Sequence, residues 1–193
     1  MGTLMRFFLT LGLVALMGAA AGAQSTDETA KGLPAPAEPL GEAADQARAE
    51  TPHVGITGLP LPRFVSLRAP EVNLRTGPGV RYPIDWVYNR AGLPLEVIDE
   101  FETWRRVRDW EGSVGWVHQS MLSGDRMVMV MGKQHLLRRA PDPAATGTAL
   151  VEPGVLAELR TCAGDWCEVR VRSLAGWIPR ADLYGIYPDE TGP

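Results

Sequence analysis

The feature that most restricts the fold of this chain is an internal repeat. Four short blocks occur twice, in the same order and with nearly constant spacing. The matched pairs are LRTGPG at 74–79 with LRRAPD at 137–142, GLPLEV at 92–97 with GVLAEL at 154–159, WRRVR at 104–108 with WCEVR at 166–170, and GWVHQSML at 115–122 with GWIPRADL at 176–183. Paired blocks begin 63, 62, 62 and 61 positions apart. The preserved order and spacing indicate duplication of one unit of about 60 residues.

Each repeat has the pattern of an all-β unit. Its segments are short, rich in β-branched and aromatic residues, and separated by Gly, Pro, Asn and Asp, which is typical of strands joined by turns. A chain of about 60 residues is too short for two large sheets, so a small barrel is the natural closure. The sequence therefore predicts two tandem barrels, at 63–124 and 125–193, with single helical turns at SML and ADL near the end of each repeat.

The N-terminal segment predicts export. One positive charge at Arg6 precedes an apolar run at 7–22, and Ala21-Gly22-Ala23 forms an A-x-A cleavage pattern. These parts describe a secretory signal peptide over residues 1–23. A membrane anchor is the alternative, but the run is short and rich in Ala and Gly for a span. We expect a periplasmic or secreted protein, in an oxidising compartment where paired cysteines form disulfides.

Residues 24–62 are predicted to be a flexible linker rich in Ala, Pro and Glu. They contain six acidic and two basic residues and no aromatic residue, so they cannot bury enough apolar surface to offset their conformational entropy. From residue 63 onward there are 17 acidic and 16 basic residues. This balance argues against nucleic acid as a partner, because a nucleic-acid binder needs a clustered basic excess.

The motifs of the first repeat resemble a known family. The N-x-R-x-G-P loop at 73–78, the W-x-x-V strand at 104–107 and the G-W-V strand at 115–117 are similar to those of bacterial SH3-like domains, often called SH3b. The tandem arrangement resembles a family of small exported SH3-like proteins from proteobacteria, and the resemblance covers about 63–188. It implies small β-barrels with a binding groove, and association with the cell envelope or peptidoglycan. The second repeat departs from the pattern, because LLRRAPD lacks the Asn and both glycines of that loop.

Catalytic and metal-binding patterns are absent from the sequence. The three histidines, His53, His118 and His135, are dispersed and do not accompany a nucleophile elbow or an H-E-x-x-H motif. Two cysteines and three scattered histidines also do not match the close ligand spacing of a metal site. We therefore predict a protein that is not an enzyme and needs no cofactor, with His118 as an exposed or capping polar residue.

Aromatic residues are the candidate ligand-binding groups. Trp104 and Val107 lie on opposite faces of a regular strand, as do Trp116 and Val117, so the two tryptophans should face away from the core. Exposed aromatic side chains in a concave patch suit apolar, peptide or sugar ligands. The alternative is that each tryptophan covers a barrel mouth or packs between the repeats. The full candidate set is Arg75, Tyr82, Trp86, Trp104, Trp116, Trp166 and Trp177, although Arg75, with Asn73 and Gly77, also suits a structural role in the loop.

The only two cysteines, Cys162 and Cys167, flank one hairpin of the second repeat. A redox centre and half of a metal site are alternatives, but no cationic residue lies beside Cys162 to activate a thiol. We predict a disulfide, and at the matching positions of the first repeat an exposed ion pair between Glu100 and Arg105. Cysteines opposite each other around a two-residue turn would place Leu159 and Val169 on different faces, so we also expect a β-bulge near that turn.

Two functional hypotheses follow from these features. The first is a non-catalytic envelope-binding module that recognises peptidoglycan or a peptide through the aromatic groove of the first barrel. The second is a periplasmic protein–protein adaptor or structural subunit, in which the two barrels pack together and present a joint surface.

Overall fold

A computed structural model describes residues 52–193. The predicted signal peptide and residues 24–51 of the predicted linker lie outside the described residues. Within the described range the regular structure consists of β-strands and two short 3-10 turns, Gln119–Met121 and Arg180–Asp182, which confirms the all-β prediction and the helical turns near the end of each repeat. In residues 52–193 no helix has the length and apolar character needed to cross a membrane.

The strands form one hairpin and two seven-stranded antiparallel sheets. The hairpin consists of β1 (His53–Val54) and β2 (Pro60–Leu61). Barrel 1 contains β3 (Arg63–Leu67), β4 (Val72–Arg75), β5 (Ile84–Tyr88), β6 (Pro94–Phe101), β7 (Trp104–Arg108), β8 (Val114–His118) and β9 (Leu122–Ser123). Barrel 2 contains β10 (Met127–Val130), β11 (His135–Arg138), β12 (Gly147–Val151), β13 (Leu156–Ala163), β14 (Trp166–Val171), β15 (Leu174–Pro179) and β16 (Leu183–Tyr184).

The two sheets have the same topology, as a duplicated unit requires. Their strand orders are β5-β4-β8-β7-β6-β3-β9 and β12-β11-β15-β14-β13-β10-β16, so every strand of barrel 2 occupies the position of its counterpart in barrel 1. Tyr88 near one edge of the first sheet and Leu122 at the other edge belong to the same buried cluster. The sheet therefore curls around one apolar core, and barrel 2 encloses a second core of its own.

The predicted disulfide and bulge are both present in barrel 2. Cys162 and Cys167 are bonded to each other, and they are direct partners in the pairing of β13 with β14. The register shifts between Leu159 and Thr161, which places Leu159, Val169 and both cysteines in the same core cluster. A two-residue turn without a bulge would place Leu159 and Val169 on different faces. The extra residue of the bulge restores a common face.

The predicted ion pair in barrel 1 exists, but it is buried rather than exposed. Glu100 Oε1 lies 3.4 Å from Arg105 Nε and 2.7 Å from Arg63 Nη2, and the Glu100 side chain is 1% exposed. Glu100 also accepts hydrogen bonds from the backbone N–H of Thr57 at 2.9 Å and from the Thr57 hydroxyl. The expectation of an exposed pair was wrong because the N-terminal hairpin covers this end of the barrel.

The hairpin also shortens the predicted linker. The sequence predicts flexible chain up to residue 62, whereas His53–Val54 and Pro60–Leu61 pair with each other and Leu61 is a fully buried member of the barrel-1 core. A Cβ atom on Gly55 would lie 2.4 Å from Glu100 Oε2, so a larger residue at this position would displace the Glu100 carboxylate. Ordered structure therefore begins before the first barrel strand.

The strand β10 joins the two barrels through an alternation of residue types. Val128 and Val130 belong to the barrel-2 core, whereas Met129 belongs to the barrel-1 core and Met131 packs against it. Successive side chains of a strand point to opposite faces, so the sequence MVMVM lets one strand contribute to both cores. Because methionine is flexible and adaptable in shape, it suits the irregular gap between two barrels.

Polar and aromatic contacts complete the junction between the barrels. Phe64 packs against Tyr184 and Tyr187, with ring centroids 5.4 and 4.7 Å apart. The Tyr187 hydroxyl donates to Glu96 Oε1 at 2.9 Å, and Arg90 Nη1 donates to the Gly154 carbonyl at 2.8 Å. Burial raises the pKa of Tyr187, and the neighbouring Glu96 carboxylate raises it further, so this hydroxyl keeps its proton and remains a donor.

Candidate functional site

The candidate site lies on the outward face of three neighbouring strands of barrel 1. In the sheet Arg75 on β4 pairs with Trp116 on β8, and Trp104 on β7 pairs with His118 on β8. Side chains that alternate with these, such as Val107 and Val117, are fully buried. Trp104 and Trp116 therefore face away from the core, as the sequence predicts.

A concave site of about 430 Å³ opens on this face, and we call it the barrel-1 groove. Its walls combine four polar and four apolar residues. They are Glu71, Asn73, Arg75 and His118 on the polar side and Val72, Val80, Trp104 and Met121 on the apolar side. A concave surface that combines apolar side chains with several polar groups is suited to binding a ligand.

Trp104 forms a buried wall of the groove instead of an exposed platform. It is only 9% exposed, although it does not belong to the barrel-1 core cluster. Its indole ring contacts the His118 ring edge to face, with centroids 5.3 Å apart. The sequence correctly predicts the face on which Trp104 lies, but the covering by neighbouring side chains reduces the surface it offers to a ligand.

Arg75 and Tyr82 shape the loop that borders the groove. Arg75 Nη1 donates to the carbonyls of Tyr82 at 2.8 Å and Val80 at 3.2 Å. The Tyr82 ring lies against Gly77, where a Cβ atom would come within 2.4 Å of it. Arg75 therefore has the structural role considered for it in the loop and also lines the groove, whereas Tyr82 supports the loop from outside the groove lining.

The remaining barrel-1 candidates lie outside the groove. Trp86 is 58% exposed on the edge strand β5, and Trp116 is half-buried on the outward face. Neither lines the concave site. Trp116 is the direct strand partner of the groove residue Arg75, so a ligand would have to extend beyond the groove to reach it.

His118 is a groove residue that the sequence predicts only as an exposed or capping residue. Its Nδ1 atom accepts hydrogen bonds from the backbone N–H of Ser120 at 3.3 Å and, at 2.8 Å, from the Ser120 hydroxyl, which caps the 3-10 turn. With Nδ1 as acceptor, the proton of the neutral ring is assigned to Nε2. The usable signal was the hairpin register, since pairing WRRVR with GWVH brings His118 opposite Trp104.

Barrel 2 has lost part of the polar side of the groove. Trp166 pairs with Pro179 where Trp104 pairs with His118, and Leu136 stands at the position of Asn73 and packs over Gly147. Arg138 still donates to the loop carbonyl of Ala145 at 2.7 Å, as Arg75 does in barrel 1. The second copy therefore keeps the residue that holds the loop but loses two groups that could hydrogen-bond a ligand.

The other predicted site residue of barrel 2, Trp177, is half-buried on β15. It pairs with Arg138 on one side and with Glu168 on the other, which corresponds to the position of Trp116. Among residues 52–193, no cluster of three or more His, Cys, Asp or Glu side chains is arranged to hold a metal ion.

Comparison with known proteins identifies the repeated unit. The family model described as bacterial SH3 domain matches residues 68–124 and 132–185, one match in each barrel. A comparison with curated proteins finds no match.

Two solved structures from Trichomonas vaginalis are similar in part. NlpC2 is 12% identical with a TM-score of 0.32, covering 68% of this chain and 51% of that structure. NlpC1 is 11% identical with a TM-score of 0.30, covering 63% of this chain and 45% of that structure. Both TM-scores are low, and the chain spans about half the length of each structure.

Proposed function

We propose that this chain, which belongs to the bacterial SH3 domain family in both of its barrels, is a non-catalytic module that binds a component of the cell envelope, peptidoglycan or a peptide, through the barrel-1 groove. The observation that carries the proposal is the groove itself. It combines hydrogen-bonding side chains, Asn73 and His118, with the apolar wall of Trp104 in one concavity. Such a surface suits ligands that present both polar groups and apolar faces.

The predicted signal peptide supports an envelope location, since an exported protein meets its ligand outside the cytoplasm. The asymmetry between the copies supports a single binding site. Duplication produced two similar barrels, but the groove residues Asn73 and His118 have no polar counterpart in the second, which has Leu136 and Pro179 there. Barrel 2 then supports barrel 1 through the shared core at Met129 and the contacts of Tyr187.

Retention of the purified protein on isolated sacculi tests the proposal. Trp104 is too buried to be a clean probe, because truncating it would create a cavity and destabilise the barrel. A better variant carries Glu71→Gln with Asn73→Leu, the residues that barrel 2 has at these positions. The matched control is Leu136→Asn, which makes the reverse change in barrel 2.

The expected result is that the parent protein and the Leu136→Asn variant are retained and the double variant is not. If the parent protein binds neither the sacculi nor the peptides released from them, peptidoglycan and its peptides are excluded as the ligand. Equal retention of all three proteins would exclude the groove as the binding surface.

The adaptor hypothesis is the second candidate, and one observation favours it. The two barrels share core residues and hydrogen bonds across their junction, as expected when they present a joint surface. Co-purification of one defined protein partner by the double variant as well as by the parent would support this alternative.

A further inference from the structure

A second concave site of barrel 1 lies beside the N-terminal hairpin, and we call it the hairpin pocket. It has a volume of about 380 Å³. The hairpin, the strand β3 and the segment around the first 3-10 turn enclose it. Its lining consists of Thr57, Leu59, Arg63, Phe64, Val65, Arg105, Gln119, Leu122, Ser123 and Gly124, so it shares no residue with the barrel-1 groove.

The lining of the hairpin pocket carries positive charge. Arg63 and Arg105 both line it, and its lining includes no acidic residue. Glu100 lies behind the two arginines and neutralises only one of their two charges. Both Glu100 carboxylate oxygens already accept hydrogen bonds from Thr57 or Arg63. The lining residues of the pocket, together with Glu100, therefore carry a net charge of one positive unit.

Arg105 is held rigidly at the pocket wall. Its side chain is only 6% exposed. Its guanidinium contacts the carbonyl oxygens of Glu102 and Trp104 at 2.9 Å, Gln119 Oε1 at 2.6 Å and Glu100 at 3.4 Å. The three hydrogen bonds, counted within residues 52–193, use three of the five N–H groups of a guanidinium, and Nε lies beside Glu100. One Nη2 N–H is left for a further acceptor, and a preorganised arginine loses little freedom when it binds one.

The walls of the pocket determine what kind of anion would fit. Leu59, Phe64, Val65 and Leu122 contribute apolar surface next to the arginines. An apolar group buried there gains hydrophobic stabilisation, and a carboxylate beside Arg105 forms a charge-assisted hydrogen bond. We propose that the hairpin pocket binds a carboxylate attached to a short apolar group.

This assignment explains why the same hairpin is held by an ion pair in barrel 1 and by a disulfide in barrel 2. At the positions of Glu100 and Arg105, barrel 2 has the disulfide between Cys162 and Cys167. A disulfide holds the hairpin together but carries no charge and donates no hydrogen bond. Arg105 of barrel 1 carries a positive charge and donates hydrogen bonds. This position can therefore contribute to ligand binding in barrel 1 and not in barrel 2.

Two sources supply a carboxylate of this kind, a peptide that ends in an apolar residue and a short fatty acid. N-acetyl-leucine represents the first and hexanoate the second. Titration of each into the full-length protein, followed by amide chemical shifts, measures binding and locates it. We expect saturable shifts at Phe64, Val65 and Leu122 for at least one probe, and the probe that binds identifies the source. Shifts with both probes mean that the pocket selects the carboxylate and not the chain that carries it.

Gln119→Glu separates charge from shape. This variant keeps the size of the side chain and the acceptor for Arg105 but cancels the excess positive charge. We expect affinity to fall by roughly tenfold or more, the usual effect of losing a charge-assisted contact. Asn89→Asp is the matched control, since it makes the same amide-to-acid change at an exposed residue outside the lining, and its affinity should equal that of the parent.

N-acetyl-leucinamide, which has the same apolar group without the charge, should produce no saturable shift. The proposal is overturned if neither carboxylate binds, if the amide binds as well as the acid, or if Gln119→Glu binds like the parent protein. Because the groove variants of barrel 1 leave this pocket unchanged, failure of either site is observed independently of the other.

Discussion

Replacing Glu100 by glutamine should destabilise barrel 1 strongly, because this carboxylate connects three parts of the chain. It bridges Arg63 and Arg105 and accepts two kinds of hydrogen bond from Thr57 in the hairpin. Glutamine has nearly the same size and retains one acceptor oxygen. The substitution therefore removes the charge while leaving the packing intact, and its effect reports on electrostatics.

The burial of the pair determines the magnitude. The side chains of Glu100 and Arg105 are 1% and 6% exposed, so Arg105 would keep an uncompensated charge away from water. Removing one partner of a buried ion pair costs about 3–5 kcal/mol. The same change in an exposed pair would cost only about 0.2–1 kcal/mol. The two values are far enough apart for one experiment to choose between them.

The effect should also depend on pH. Burial alone would raise the pKa of Glu100, but the hydrogen bonds from Thr57 and Arg63 outweigh burial and lower this pKa below its ordinary value. A carboxyl with a depressed folded-state pKa stabilises the protein above its unfolded-state pKa of about 4.3, and the stabilisation is lost as pH falls through the folded-state value. The stability difference between the parent and Glu100→Gln should thus be full near neutral pH and shrink in acid.

Urea unfolding followed by tryptophan fluorescence measures this difference, since four of the six tryptophans lie in barrel 1. Hydrogen exchange at the Thr57 amide should show that the hairpin opens first. Glu158→Gln is the control, because Glu158 pairs with Arg160 and Arg170 at an exposed site and should matter much less. A loss below about 1 kcal/mol for Glu100→Gln, or equal losses for the two variants, would refute the conclusion that the buried pair holds the hairpin.

Two further predictions concern the core contacts of barrel 2. In the variant with Cys162→Ser and Cys167→Ser, the free energy of unfolding should fall by about 2 kcal/mol or more, since the disulfide closes a short loop and both cysteines lie in the core. A thiol titration of the oxidised parent protein that finds two free thiols would contradict this prediction. Met129→Ala should cost about 2–5 kcal/mol and, because Met129 reaches the other core, should lower amide protection at Val107 in barrel 1. Met121→Ala, at a 37% exposed position, is its control, and loss of protection confined to barrel 2 would contradict the shared core.

Much of the architecture could be predicted from local pattern. The repeat spacing predicts two equal barrels, and the two sheets have the same strand order. The residues of one hairpin also predict the disulfide and the bulge beside it, because both follow from side-chain alternation over a few residues. For the same reason the outward direction of Trp104 and Trp116 was predictable, since strand geometry alone decides which face a residue occupies.

The features that sequence pattern missed depend on contacts between distant residues. Thr57 and Glu100 are 43 positions apart, and Tyr187 and Glu96 are 91 positions apart. No local sequence pattern predicts contacts between residues so far apart. The sequence analysis therefore placed the hairpin in the linker and the ion pair on the surface. The burial of Trp104 was missed for a related reason, because exposure depends on what the neighbouring strands and loops place over a side chain.

The sequence by itself therefore determined the repeated β-barrel unit, the disulfide and ion pair at its hairpins, and the face of the strand on which each residue lies. All of these follow from short-range alternation and turn chemistry. Only the tertiary structure decided how much of each face is exposed and that the N-terminal hairpin packs against Glu100. It also decided that the residues of MVMVM contribute side chains to the cores of both barrels. The polar groove and the charged pocket of barrel 1 belong to this second group, because each is assembled from segments that become neighbours only when the barrel closes.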